Sequence, residues 1–272
     1  MHNPQIGVVI IDSCCLSFLE DPSVLKRIRK DMRIADMQIR LSAINILEAL
    51  KTPISVIRDR LLKIIREVSE GRPFLPWPLD LIKKSGEAIA NGEISFWSGE
   101  SGLEKKVYEN SITNIDVISA SERMDSLEDH FTIMHDEARK ELQRLLRENN
   151  SSKLNTAKAF LDQIWSPKSH LEYHIRNIWE TLCLPGSPPI ETILEDEIWK
   201  IFFDINGFGA FERAVVKEQP KRVHYPDLLQ LMYVANNPRR IVFSNDSGFL
   251  RAARTILLNR YPCVRILSCS DL

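Results

Sequence analysis

Residues 6–11 (IGVVII) form an unbroken apolar run rich in β-branched side chains, the pattern of a strand covered on both faces of a parallel sheet. Asp12 ends the run, and a helix is predicted from residue 14 or 22 to about 32. A second short strand is expected at 37–41 (MQIRL), followed by a helix from about 43 into a charged stretch ending near 70. Residues 71–79 (GRPFLPWPL) read as a proline-rich connection, and 80–90 (DLIKKSGEAIA) as another helix.

From about 92 to 222 the pattern changes. Leu127, Phe131, Met134, Ala138, Leu142 and Leu145 recur with gaps of three and four, which marks a long amphipathic helix. Further helices are expected at about 152–164, 168–183, 190–204 and 208–217, separated by NNSS, SP, PGSPP and NGFG as caps and breakers. Nothing in this stretch reads as a strand. After Pro226 the alternation returns, with a helix at 226–236, a strand at 240–244, a helix at 248–259 and a last strand at 263–267. The chain thus divides into an α/β core, 1–91 plus 223–272, and an all-helical insertion, 92–222. Strand–helix alternation with right-handed crossovers predicts a parallel sheet, and such sheets bind ligands beyond the carboxyl ends of their strands. Asp12 and Asp246 both stand at such ends.

Composition adds few constraints. The 272 residues are 44% hydrophobic and 27% charged, as in an ordinary globular protein. Thirty-six basic residues against 37 acidic ones give a net charge of −1, which does not suggest a simple electrostatic nucleic-acid binder. Local basic runs exist nonetheless, at Lys26, Arg27, Arg29, Lys30 and Arg33 and at Arg58, Arg60, Lys63 and Arg66; on helices these read first as solvated faces. Five cysteines without CxxC spacing argue against a disulfide framework or a cysteine-based zinc site. With no long apolar window and no signal-peptide pattern, the expectation is a cytoplasmic protein with no membrane partner.

Two further acids deserve notice for where they fall. At about 100° per residue, Glu48 lies between Ile44 and Leu41 on the apolar side of its helix, one turn from Asn45. A buried acid is costly unless it is paired or coordinates a metal, whereas an edge-exposed one is harmless. Asp227 points along the stripe of Leu231 and Val234, although an acid just after Pro226 also suits the helix dipole. Asp246, in IVFSNDSGFL, has an equally plain alternative: Ser, Asn, Asp and Gly make turns, and Asp246 or Ser247 suits a helix cap.

The order strand-Asp, helix-Glu, helix-Asp, then strand-x-Asp with an aromatic three residues later resembles the PIN-domain family of metal-dependent nucleases. The resemblance is carried by VVIIDSC, SAINILEAL, PDLLQLMYVA and IVFSNDSGF, about half the chain. Ser244 and Phe249 match the family's hydroxyl and aromatic around the last Asp. Ser13 matches its Thr or Ser after the first Asp, but Cys14 stands where the family has Asn. The resemblance implies a Rossmann-like three-layer PIN-type core. It further implies a Mg²⁺- or Mn²⁺-dependent endoribonuclease that hydrolyses single-stranded RNA, with Asp12, Glu48, Asp227 and Asp246 at the metal and Ser13, Asn45 and Ser244 supporting them. Four converging carboxylates repel unless neutralised, and hard divalent cations that prefer oxygen ligands do this. Many small PIN proteins are toxins held by an antitoxin, so a protein inhibitor or a homodimer is a conceivable partner; this chain is considerably longer than those.

Competing motifs are weaker. A haloacid-dehalogenase phosphatase needs an Asp where Cys14 stands, and no GxGxxG or GxxxxGK[ST] loop occurs. His170 and His174 flank Glu172 without the HExxH order of a zincin, and the Asp129–Asp136 acids with His130 and His135 read as a solvated face. A PIN-like scaffold that binds RNA or protein without cutting is the alternative from another class.

Overall fold

The computed structural model describes residues 7–93, 113–122, 171–215, 225–235, 240–258 and 263–268, together with scattered single positions. Its centre is a four-stranded parallel sheet of β1 (Gly7–Ile11), β2 (Met37–Arg40), β3 (Ile241–Phe243) and β4 (Arg265–Leu267), in the order β2-β1-β3-β4. The register pairs Val9 with Ile39 on one side and with Ile241 on the other. Strand order reverses between β1 and β3, and the crevice at such a reversal is where open parallel sheets take their ligands.

The period of two along β1 explains why all of it is apolar. Val8 and Ile10 enter one hydrophobic cluster, Val9 and Ile11 the other, and all four are at most 2% exposed. Helices α1 (Pro22–Ile34), α2 (Ala43–Lys51) and α3 (Ser55–Ser69) supply the second cluster with Leu25, Ile28, Ile46, Leu47, Leu50 and Ile65. On the opposite face lie α4 (Pro78–Ala90), α5 (Leu171–Thr181), α6 (Ile190–Glu195), α7 (Glu197–Val215), α8 (Tyr225–Leu229) and α9 (Ser247–Leu257). Trp199, Ile205, Phe208 and Phe249 there share one cluster with Val8, Ile10 and Val242. Phe249 is 1% exposed, so Phe249→Ala would cost about 3–5 kcal/mol.

Three expected elements differ. The helix from 43 to 70 is two helices, because Pro53 lacks an N–H and turns the preceding Thr52 extended, with ψ 117. Residues 206–209 (NGFG) do not break a helix: α7 runs through them. Asn206 satisfies itself there, with Nδ2 donating to Phe202 O at 2.8 Å and Oδ1 accepting from Tyr225 Oη at 2.8 Å. The break comes instead at Asp196, whose Oδ1 accepts the Ile198 and Trp199 N–H groups at 2.9 and 3.1 Å and so caps α7. The expected helix at 226–236 is α8 followed by a 3₁₀ stretch, Gln230–Val234.

Within 92–222 the described residues contain no strand. The helices α5 to α7 from this stretch bury their apolar side chains in the same cluster as the sheet. The apolar positions of the expected 127–145 helix lie outside the described residues, as do the 152–158 half of the next helix, His130, His135, Asp136 and His170. Among the described residues no helix is long and apolar enough to cross a membrane.

Candidate metal centre

Asp12 follows β1 directly. Its N–H donates to Phe243 O at 2.9 Å, which continues the ladder between β1 and β3 by one rung and fixes the backbone that carries the carboxylate. The side chain is 5% exposed. Ser244 Oγ donates to Asp12 Oδ2 at 2.6 Å and Cys14 Sγ donates to the same oxygen at 3.0 Å. Such donors hold its orientation.

Glu48 arrives on α2. This helix begins at Ser42, whose side chain accepts the Asn45 N–H while Asn45 Oδ1 accepts the Ser42 N–H at 2.7 Å, a reciprocal cap. Asn45 is fully buried, and its Nδ2 donates to Ile11 O at 3.1 Å and to Ser13 Oγ at 2.8 Å, which ties α2 to the end of β1. Glu48, one turn further on, is half-buried. Asp227 is in the first turn of α8, likewise half-buried overall.

The structure brings Asp12, Glu48 and Asp227 together: one ligand oxygen from each lies within 4.8 Å of the others. Asp227 is pushed well above the usual carboxylate range, first by burial, then by the charge of Glu48 and a hydrogen bond with it, and further by Asp12 and Asp246. Such crowding is unfavourable for three free carboxylates and favourable for an oxygen-only cation site. Oxygens sharing one hard cation at about 2.0–2.6 Å lie no more than about 5 Å apart, and this group meets that limit. The donor set is one that a hard divalent cation accepts.

Asp246 stands differently. It is exposed, and its Oδ1 accepts the Phe249 N–H at 2.6 Å as the cap of α9. It is close enough to raise Asp227 but is not one of the three grouped carboxylates. Ser244, fully buried, accepts the Asp246 N–H at 3.0 Å while donating to Asp12, so it links the two strand ends.

No family model, curated protein or solved structure matches this chain.

Three neighbours of the site were not assigned a role from sequence. Cys14, exposed, accepts the Asn245 N–H at 3.0 Å in addition to donating to Asp12, so a thiol holds the position where the resembled family has Asn. The thiol is held below its usual value by the adjacent Cys15 thiol, 3.8 Å away, and by Ser244, against partial desolvation and the Asp12 charge. Ser42 was legible as a cap three residues before Asn45. Gln230 was legible only as a polar residue inside an apolar run, and it is fully buried. In the two basic runs, Arg29 pairs with Glu70 at 2.6 Å, Arg60 with Glu20, and Lys63 with Glu67 at 4.0 Å.

Proposed function

We propose that this chain is a divalent-metal-dependent nuclease of PIN type, acting on RNA phosphodiester bonds. The observation that carries the reading is the meeting of Asp12, Glu48 and Asp227 at the carboxyl edge of a parallel sheet, at its switch point. Asp12, Glu48 and Asp227 would hold the cation. When bound, Mg²⁺ or Mn²⁺ supplies positive charge for the phosphodiester and lowers the pKa of water beside it. Asp12 is pre-aimed by Ser244 and Cys14, so its carboxylate needs no reordering on binding. Burial and the neighbouring acids raise Asp227 while the acids are alone together, and a cation among them would offset that, so metal uptake should favour proton release. Asp246 adds negative charge at the rim and holds the start of α9 in place through its cap. Cys14, standing where the resembled family has Asn, donates to Asp12, so the carboxylate keeps a donor from that position, which favours an intact site over a scaffold that has lost it.

The test is a cleavage assay on single-stranded RNA and single-stranded DNA with Mg²⁺, Mn²⁺ or chelator, using wild type and Asp12→Asn. Metal-dependent RNA cleavage that Asp12→Asn abolishes supports the reading. RNA binding without cleavage under every metal condition would favour the scaffold, and DNA-selective cleavage would move the substrate class.

A further inference from the structure

We propose that Gln230 is a positioning residue of the carboxylate centre, acting through a hydrogen-bonded tie, Gln230–Ser42–Asn45, that sets the spacing of Asp12, Glu48 and Asp227. The proposal rests on the metal reading above. Each end of the tie lies beside an acid. Asn45 precedes Glu48 by three residues, Gln230 follows Asp227 by three, and Asn45 Nδ2 bonds Ile11 O and Ser13 Oγ, the residues on either side of Asp12. One polar chain thus joins the strand and the two helical segments that carry the three carboxylates.

The proton count gives the tie its direction. Ser42 Oγ lies 3.0 Å from Asn45 Oδ1 and 3.1 Å from Gln230 Oε1, but it has one proton to give. Asn45 Oδ1 already takes the Ser42 N–H at 2.7 Å, so the hydroxyl proton is available to Gln230. Asn45 Nδ2 in turn spends both its hydrogens on Ile11 O and Ser13 Oγ. The Gln230 end gives the segment bearing Asp227 a directional hold on the start of α2 that apolar contact does not supply, and this hold involves none of the three carboxylates.

Gln230 is a poor choice for stability by itself. It is fully buried, and its Nε2 has no hydrogen-bond partner among the described residues. A half-satisfied buried amide costs free energy that an apolar side chain of similar length would not. A role in placing the acids explains why an amide occupies the position, and it separates positioning from ordinary structural support.

The experiment follows the thermal shift produced by Mn²⁺ alone in the full chain. Gln230→Met should melt at or above the wild-type temperature without metal, yet need about tenfold or more Mn²⁺ for half its shift. Ser42→Ala breaks the tie from the α2 side; it should melt lower through the lost cap and show a similar rise in Mn²⁺ requirement. The double variant should need no more Mn²⁺ than Ser42→Ala, because the tie is already cut. An unchanged Mn²⁺ requirement in Gln230→Met would overturn the proposal. So would multiplying losses in the double variant, or a metal-free Gln230→Met that melts far below wild type or fails to fold, since the amide would then be structural. A wild type with no Mn²⁺ shift is a separate outcome: it removes the metal reading itself, and the tie with it.

Discussion

The carboxyl ends of β1 and β3 carry the same local sequence idea, an acid just beyond an apolar strand, and put it to two different physical uses. Asp12 is buried, receives donors from Ser244 and Cys14, and faces Glu48 and Asp227 within 4.8 Å. Asp246 is exposed and spends one oxygen on the Phe249 N–H, starting α9. Ser244 touches both ends, donating to one carboxylate and accepting the backbone N–H of the other residue. An acid at a strand end is therefore not one kind of object. What separates them is whether a second helix brings another carboxylate against it.

That contrast can be broken by substitution. Asp12→Asn should lower metal-dependent RNA cleavage by about a hundredfold or more, because it removes a charged oxygen from the grouped three. Asp246→Asn should fall well short of that loss, since Asn caps a helix about as well as Asp and the grouped oxygens remain. Steady-state cleavage rates for the two variants decide it: equal losses would place Asp246 at the metal beside the others.

The next effect is in stability against pH. Asp227 titrates higher in the folded chain than the unfolded carboxyl value of about 4. Between those two values the folded state keeps a proton that the unfolded chain has lost, so metal-free stability should fall as pH rises through the interval. Asp227→Asn should flatten that fall and stabilise the metal-free protein at neutral pH by about 1 kcal/mol. Denaturant melts at several pH values, in chelator, check both; an unchanged slope in Asp227→Asn would show that neither burial nor the neighbouring acids raise Asp227. Asp246→Ala, by comparison, should cost about 1 kcal/mol through the lost cap, with or without Mn²⁺.

The smallest expected effect is at Cys14. Cys14→Ala removes a weak thiol donor from Asp12 Oδ2 while Ser244 still holds that oxygen, so Mn²⁺ affinity should fall only a few-fold. Cys14→Asn should restore it, as measured by the Mn²⁺-induced rise in melting temperature.

What could be read from sequence followed the range of the interactions involved. The strands were legible because burial on both faces makes a parallel strand continuously apolar, and the core helices because their stripes repeat within a few residues. Glu48 and Asp227 stood out as acids on such stripes, and both do face the cluster. The break at Pro53 is written in the chain, although the expected single helix runs through it into the charged stretch. The continuity of α7 through Asn206, Gly207 and Gly209 was not legible, since it depends on Tyr225 supplying a partner from another helix. The roles of Cys14 and Gln230 were hidden for the same reason: Cys14 meets Asn245 and Gln230 meets Ser42 across more than 180 residues of chain. Local rules see caps and stripes. Partners brought by the fold are visible only once it is built.

The central claim is that Asp12, Glu48 and Asp227 share one divalent cation. Its most direct test is a crystal structure of the wild-type chain soaked in Mn²⁺, with anomalous scattering collected at the manganese edge. The expected result is an anomalous peak bonded to carboxylate oxygens of all three residues, with Asp246 still bound to the Phe249 N–H. Well-ordered acids with no peak between them at millimolar Mn²⁺, or a peak held by Asp246 without Asp12, would contradict it.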